Sequence, residues 1–234
     1  EKLLQGQITC DVSKLNSESG SFGAICTPQG RMYALFKIAK KEDCYLLSMP
    51  RVIANEFISR LNKYRQFFKA EVRIKEEWVV FGMVIYEAPQ ALIKGYNLPE
   101  EANGVSIGDH SINFRLPTMD PCWEIWIEKN SWLTEESGPH PDTEPTIGHP
   151  NDWFIKLITN GIPELTINTI DKFIPQNINV HKLGGINFKK GCYTGQEVVA
   201  RMYYRAQAKK RLRYITVEDA QSLPDNSDTV DSVE

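Results

Sequence analysis

Cysteine and histidine are scarce in this sequence, and neither residue type is arranged as a metal or disulfide motif. The 234 residues include five cysteines and four histidines. No C-x-x-C pair occurs, which argues against a disulfide framework, a zinc knuckle and a cluster-binding array. His140 and His149 fall in a proline-rich loop without metal-ligand spacing, so we predict surface histidines and no metal site. This cysteine usage favours a reducing compartment, the cytoplasm or, in a eukaryote, the mitochondrial matrix.

Long hydrophobic runs are also absent. No stretch approaches the roughly 20 apolar residues that cross a membrane, and no signal peptide is visible. The sequence contains no internal repeat and no low-complexity tract. Hydrophobic residues make up 41% and charged residues 24%, which is ordinary globular usage. We therefore expect one or two globular domains and no membrane partner.

The chain as a whole has no excess of positive charge, but one segment of it does. The formal net charge is −3. Between Lys189 and Arg213, however, eight basic residues accompany one acidic residue, a net charge of +7 that leaves −10 for the remainder. A local positive field attracts anions. The segment is either a solvated helix face or a site for a ligand with carboxylates or phosphates.

Alternating and periodic apolar patterns predict a mixed α+β fold. Strands are predicted at residues 7–12, 22–26, 32–38, 44–49, 70–74, 78–85, 111–116 and 123–128, with one more beginning at 214. A helix is predicted from Pro50, with an apolar stripe that comprises Ile53, Phe57, Leu61, Tyr64 and Phe68. Another is predicted to end at Gly161 and to be capped by Asn151 or Asp152.

The segment GCYTGQE, residues 191–197, is the most informative stretch. Thr194 and Glu197 have the spacing of a capping box, which predicts a helix that continues through residue 211. Cys192 then lies just before the helix, near free N–H groups and the positive end of the helix dipole. With Lys189 and Lys190 nearby in sequence, the thiol is predicted to ionise more easily than usual.

Cys192 has two other interpretations. The first is a small buried cysteine that only packs. The second is the nucleophile of a Cys–His hydrolase, which needs a nearby base. His181 is the sole candidate close in sequence, and no motif links it to Cys192. The peptidase interpretation is therefore disfavoured, whereas the packing interpretation stays open.

The segment KKGCYTGQEVVAR, residues 189–201, resembles the K-G-C-Y-x-G-Q-E motif of the YgfZ family of folate-binding proteins. That family is related to the T protein of the glycine cleavage system, the tetrahydrofolate-dependent aminomethyltransferase. LLQGQITCDVSKL at 3–15, GIPEL at 161–165 and FIPQNINVHKLGGINFKKGC at 173–192 are also similar to family segments. The resemblance therefore extends over nearly the whole chain.

The resemblance implies a fold. Residues 1–31 and 150–213 are expected to form a discontinuous folate-binding unit that carries the motif. Residues 32–149 are expected to form an inserted ferredoxin-like α+β unit. Residues 214–234 would begin a C-terminal β-barrel or form a disordered tail. The barrel that closes the family's folate funnel is thus expected to be truncated or missing.

The resemblance also implies a function. The expected cofactor is tetrahydrofolate or another reduced folate. The expected role is support of iron–sulfur cluster assembly or repair and of cluster-dependent tRNA modification, with iron–sulfur client or assembly proteins as partners and tRNA involved only indirectly. Cys192 is the implied catalytic residue. The implied folate-binding residues are Lys190, Gly191, Tyr193, Gly195, Gln196, Glu197 and Arg201.

Two other functions stay open. One is a folate-dependent aminomethyl or one-carbon transferase. The T protein has an acidic residue at the start of the helix after one strand, whereas the similar segment Tyr45–Phe57 places Asn55 or a neighbour there, with no Asp. This departure favours folate binding without the same transfer chemistry. The other function is a non-enzymatic RNA- or protein-binding module that uses the positive segment.

Overall fold

The fold is known from a computed structural model that describes residues 1–86, 96–132, 147–205 and 210–215. Its first antiparallel sheet has the strand order β1-β2-β3. These strands are β1 (Ser21–Cys26), β2 (Met32–Lys41) and β3 (Cys44–Ser48). The predicted hairpin between β1 and β2 is confirmed. Its turn needs Gly30, whose φ of +75° lies in the left-handed region that favours glycine.

The second antiparallel sheet has the strand order β4-β7-β6-β5. Its strands are β4 (Trp78–Val84), β5 (Val105–Ile107), β6 (Ser111–Arg115) and β7 (Cys122–Glu128). Three of them confirm predicted strands to within one residue. β5 was missed because three residues are too few to show an alternating pattern.

The two sheets share one hydrophobic core. Phe22 of β1 meets Phe114 of β6 edge to face, with ring centroids 6.2 Å apart. Phe114 in turn stacks on Trp126 of β7 at 5.7 Å. A side chain at Gly20 would place its Cβ 2.5 Å from the Phe114 ring, so glycine permits this close approach. Large buried rings dominate core energetics, and these three fix one sheet against the other.

Five α-helices and two short 3-10 helices lie in the described ranges. The α-helices are α1 (Lys2–Gln5), α2 (Arg51–Arg65), α3 (Lys129–Trp132), α4 (Pro150–Thr159) and α5 (Gln196–Tyr204). The 3-10 helices are Val12–Lys14 and Pro175–Ile178. α2 packs on β2, with the Phe57 and Phe36 rings 5.9 Å apart. The predicted stripe holds through Tyr64, but Phe68 lies beyond the helix and is exposed.

Two predicted strands are wrong. Residues 7–12 contribute one isolated bridge, Ile8 to Ile25, before the 3-10 helix begins. The side chain of Asp11 accepts hydrogen bonds from the Ser13 backbone and the Gln5 amide, and such local bonds compete with a strand ladder. Residues 70–74 pair with no strand. Their alternation reflects packing of the half-buried Val72 against the core.

The predicted cap of α4 is also wrong. His149 is the N-cap: its ring Nδ1 accepts from the Asn151 N–H at 3.2 Å, and the Asp152 carboxylate accepts from the His149 N–H at 3.1 Å. Pro150 then occupies the first helical position, where its missing N–H costs nothing. His149 is exposed, as predicted. His140 lies outside the described residues.

The chain ends differently from the prediction where the structure describes it. α5 ends at Tyr204 rather than at residue 211, and residues 206–209 lie outside the described residues. Residues 214–215 form no strand, and the chain beyond them is not described. β1 and β2 pair with each other from either side of the proposed boundary at residue 31. The division into a discontinuous folate-binding unit and an inserted ferredoxin-like unit remains a prediction. What the structure establishes is a mixed α/β fold with two antiparallel sheets.

Candidate functional site

The segments that carry the motif and the chain start pack together although they are far apart in sequence. Asn187 donates its backbone N–H to the Thr9 carbonyl at 2.9 Å. The Thr9 hydroxyl donates to the Gly185 carbonyl at 2.6 Å and accepts from the Ala24 N–H at 2.9 Å. Thr9 is completely buried. This hydroxyl therefore joins the chain start, β1 and the approach to the motif.

Lys190 anchors the motif loop from inside the protein. Its ammonium donates to the backbone carbonyls of Ile8 and Cys10, both at 2.8 Å. The same ammonium lies 5.3 Å from the centroid of the Tyr193 ring, a cation–π distance. Lys190 is buried, and its desolvation lowers the pKa of the ammonium. The predicted ligand-binding charge is thus directed at carbonyl oxygens of the chain itself.

Tyr193 and Thr194 hold the other side of the loop. Tyr193 is buried, which raises the pKa of its hydroxyl. The Thr194 hydroxyl donates to the Gln7 side-chain oxygen at 3.1 Å instead of capping the helix. The predicted capping box is therefore wrong. Gly195 is the N-cap, and no side chain bonds there.

Gly195 is required by its backbone and by a close contact. Its φ is +82°, and an added Cβ would lie 2.5 Å from the carbonyl oxygen of Thr27 in the β1–β2 turn. Gly30 of the same turn would similarly clash with Val198 of α5, at 2.8 Å. Two glycines thus bring the turn against the first turn of α5.

Cys192 is exposed between these anchors. The neighbouring Gly191 is also exposed, and no atom lies within 4 Å of the position that its Cβ would take. The thiol lies three residues before the N-cap Gly195. The packing interpretation of Cys192 is therefore excluded, because the side chain is not in the core.

The other predicted site residues lie on the first turns of α5. Gln196 is half-buried, and its N–H donates to the Tyr193 carbonyl at 3.1 Å. Glu197 and Arg201 are exposed and form an i,i+4 ion pair at 3.4 Å. Glu197 therefore does not return to the cap as predicted. The motif thus has an inward part, Lys190 and Tyr193, and an outward part that begins at Cys192.

The remaining cysteines differ from Cys192 in burial. Cys10, Cys26 and Cys122 are buried and Cys44 is exposed. Burial raises the pKa of Cys10 and of Cys26 to about 12. It also raises the pKa of Cys122. These three thiols remain protonated near neutral pH, which leaves Cys44 and Cys192 as the accessible thiols.

A buried ion pair between the two sheets was missed from the sequence. Lys37 of β2 donates to the Glu124 carboxylate of β7 at 2.7 Å, and both side chains are about 95% buried. Ser48 and the Trp126 indole also donate to Glu124, at 2.9 and 3.0 Å. The sequence does show one charged residue within each of these two apolar strands. It does not show that the two charges pair. A buried charge is costly unless it is paired. Lys37 and Glu124 therefore form a second cluster of buried polar groups, separate from the motif loop.

No metal or membrane feature is seen in the described ranges. They contain no group of three or more His, Cys, Asp or Glu side chains that could hold a metal ion. His181 is half-buried, and desolvation lowers its pKa, assisted by Arg211 and Lys182. None of the helices described above is long and apolar enough to span a bilayer.

Comparison with known proteins identifies the fold. No protein-family profile matches the chain. Among solved structures, it is similar to the glycine cleavage system aminomethyltransferase T from Bartonella henselae, with a TM-score of 0.61 and 15% identity. The match covers 88% of this chain and 58% of that one, so the chain spans little more than half the length of its structural neighbour. The chain therefore has a T-protein-like fold, while membership of the YgfZ family remains a prediction.

Proposed function

We propose that the protein binds a reduced folate at the exposed loop that carries Cys192. The observation that supports this most strongly is that some motif residues are buried and hold the loop, whereas others are exposed. Lys190 and Tyr193 are buried and hold the loop, while Gly191 and Cys192 between them are left accessible. A loop fixed by buried polar contacts that leaves a thiol outside is suited to present that thiol to a ligand. The T-protein-like fold supports folate as the ligand class.

The accessible motif residues fit a folate chemically. An ammonium or guanidinium pairs well with the carboxylates of a folate glutamate tail. Lys189, before Cys192 in sequence, and Arg201, after it, are both exposed, and Arg201 also pairs with Glu197. Gly191 leaves room for a flat ring to approach the backbone. Gln196 and Glu197 offer polar groups at the start of α5. Lys190, Tyr193 and Gly195 would act by holding the loop and not by touching the ligand.

Tetrahydrofolate, when bound, supplies ring nitrogens that carry one-carbon units. The part of the chain is to orient that ring and to place the Cys192 thiol beside it. The proposed cellular role is support of iron–sulfur cluster assembly or repair, through client or assembly proteins and, indirectly, of cluster-dependent tRNA modification.

Calorimetric titration with tetrahydrofolate tests the binding proposal. Heat of binding and a raised melting temperature are expected, because a ligand that binds only the folded state stabilises it. No heat and no thermal shift at millimolar ligand would overturn folate binding. The full chain, joined to any further domain that it has in the cell, is the fair sample.

Rescue of iron–sulfur enzymes tests the cellular role separately. Cys192→Ala is expected to melt close to the wild-type temperature, because it removes an exposed side chain, and to fail to rescue a cluster-dependent tRNA-thiolating enzyme in cells that lack the protein. Val199→Asp is the contrasting variant. Val199 is completely buried, so a carboxylate there should lower the melting temperature itself. Full rescue by Cys192→Ala would remove the thiol from the proposed function.

A folate-dependent aminomethyl transferase is the second candidate, and the T-protein-like fold is what favours it. The residues near the expected acid weigh against it. Asn55 carries no acid, and the neighbouring Glu56 carboxylate accepts from Arg60 at 2.5 Å. Arg60 also binds Asp171 through two nitrogen atoms. Formation of an aminomethyl-group product by the purified chain would favour this candidate over folate binding alone.

A further inference from the structure

Three aromatic rings form a platform at the C-terminal end of α5. Phe188, just before the motif, stacks on Tyr203 with ring centroids 3.7 Å apart. Tyr204 meets both rings edge to face, at 6.1 and 5.0 Å. Tyr203 is 52% exposed and Tyr204 65% exposed. Tyrosines that pack on one another and still face solvent offer ring surface that nothing in the described ranges covers.

Basic side chains flank this platform. Lys189 follows Phe188 and Arg205 follows Tyr204 in sequence, and both are exposed. The extended segment 210–215 adds three exposed cations and an exposed tyrosine, Tyr214. Within the described ranges no carboxylate pairs with Lys189, Arg205 or the cations of 210–215, although Arg201 is paired with Glu197.

One turn of the chain holds both stretches in place. The Gln176 side-chain amide donates to the Val199 carbonyl of α5 at 2.6 Å. The backbone carbonyl of the next residue, Asn177, accepts from the Leu212 N–H at 2.7 Å, and the Asn177 side chain donates to the Lys210 carbonyl at 2.8 Å. Asn179 donates to the Leu212 carbonyl at 2.9 Å.

The length of the linking chain keeps segment 210–215 close to the end of α5. Five peptide units separate Arg205 from Lys210 and reach at most about 18 Å. The hydrogen bonds to Asn177 and Asn179 hold the backbone of Lys210 and Leu212 in place. The cations of segment 210–215 therefore lie within reach of a strand that also contacts the end of α5.

We propose that this basic–aromatic surface, made of Phe188, Lys189, Tyr203, Tyr204, Arg205 and residues 210–215, binds single-stranded nucleic acid. Single-strand binders combine a positive track for phosphates with aromatic rings on which bases stack. A polyglutamate tail would use the cations but not the rings. The acidic remainder of the chain leaves this segment as the place where a polyanion is attracted.

Fluorescence anisotropy with a labelled single-stranded RNA of about 16 nucleotides tests the proposal on the full chain. The triple variant Lys210→Glu, Arg211→Glu, Arg213→Glu is expected to weaken binding at least about tenfold at about 0.1 M salt. It should also reduce the slope of log affinity against log salt by about 2, since each lost phosphate contact on a single strand contributes about 0.7.

The matched control is Lys63→Glu, Arg65→Glu, Lys69→Glu. These cations are exposed at the end of α2 and just beyond it, so the net charge changes by the same amount at another place. Binding should change much less than in the first triple. Equal losses in the two triples would mean that only total charge matters, and would overturn the proposed surface.

The rings are tested by Tyr203→Ala combined with Tyr204→Ala. Loss of base stacking should weaken single-stranded RNA about tenfold and leave the salt slope unchanged. Wild-type protein should also prefer the single strand to a duplex of the same sequence. Absence of RNA binding, equal binding of the duplex, or displacement of the RNA by an equimolar γ-linked polyglutamate would each contradict the proposal. If the tyrosine variant has a lowered melting temperature, the proposal is judged from two other results. These are the preference for single strand over duplex and the comparison of the two triple variants. Tetrahydrofolate binding, measured alongside, reports on the proposed folate function independently.

Discussion

At the scale of single residues, the cysteines are divided by burial into two groups. Cys10, Cys26 and Cys122 are enclosed, and burial raises the pKa of each thiol. Cys44 and Cys192 are exposed. Reaction with an alkylating reagent requires both access and the thiolate form. The exposed pair is therefore expected to label in the native protein, and the other three only after unfolding.

Between the two exposed cysteines, Cys192 is expected to react faster near neutral pH. Cys44 begins a strand, whereas Cys192 lies three residues before the N-cap of α5 and follows Gly191, where no atom lies within 4 Å of the position that an added Cβ would take. Labelling resolved by residue in a mass spectrometer measures both rates in one sample, so Cys44 is the internal control. A Cys192 that labels more slowly than Cys44 would contradict the open presentation of this thiol.

Gly195 and Gly191 provide a matched pair for the loop. Gly195→Ala forces a side chain into the left-handed region and against the Thr27 carbonyl. We expect it to lower the free energy of unfolding by about 1–3 kcal/mol. Gly191→Ala adds the same methyl group where no atom lies within 4 Å, so its effect on stability should be small. Urea unfolding of both variants is the measurement, and similar costs would contradict the close turn–helix contact.

At the scale of elements, periodicity predicted helices and strands better than it predicted their ends. The helix that follows the motif was predicted from a capping box at Thr194 and Glu197, and a helix does begin there. The Thr194 hydroxyl, however, bonds Gln7, which lies 187 positions away and cannot be found by local pattern rules. His149 was missed for a different reason: its ring caps α4 through the nearby Asn151 N–H, but histidine is not among the usual N-cap residues.

The candidate site was predicted only in part, because some of its contacts come from residues far away in sequence. Local sequence placed Cys192 before a helix, and the structure has it three residues before the N-cap of α5. Its exposure was left open by the sequence and is shown by the structure. Local sequence did not show that Lys190 is turned inward, because its partners are carbonyls of residues 8 and 10. Predictions at the motif therefore succeeded where neighbouring residues determine the structure. They failed where contacts with the start of the chain determine it.

The ion pair between β2 and β7 is expected to be sensitive to removal of one partner. Glu124→Gln leaves the Lys37 ammonium buried without a counter-charge, and such changes cost about 3–5 kcal/mol. Lys37→Met combined with Glu124→Gln should cost less than the sum of the two single changes. The exposed pair Arg51–Glu76 is the control, since Glu76→Gln should change stability little in a solvent-screened pair. Additive costs in a double-mutant cycle at the buried pair would show that the charges do not depend on each other.

At the scale of the whole molecule, the buried thiols predict alkaline destabilisation. The folded state keeps Cys10 and Cys26 protonated up to a pKa of about 12, whereas both ionise near 9.0 when exposed by unfolding. Above pH 9 the unfolded chain therefore binds fewer protons than the folded chain, and stability falls as pH rises. The lowered pKa of Lys190 acts in the opposite direction but is a single group.

Urea unfolding across this pH range measures the effect. The midpoint should fall steadily above pH 9, and the fall should be shallower in Cys26→Ala, which lacks one of the two thiols. Each fully shifted group contributes up to about 1.4 kcal/mol per pH unit. A midpoint that stays constant or rises above pH 9, or a Cys26→Ala slope equal to wild type, would contradict the enclosure of these thiols.

We propose that the T-protein-like fold places a reduced folate beside Cys192. The decisive experiment is alkylation of Cys192 with and without saturating tetrahydrofolate, with Cys44 in the same sample as the control. Tetrahydrofolate is expected to slow labelling of Cys192 severalfold and to leave the rate at Cys44 unchanged. If calorimetry shows folate binding while the rate at Cys192 stays the same, the ligand lies elsewhere and the proposed site is wrong.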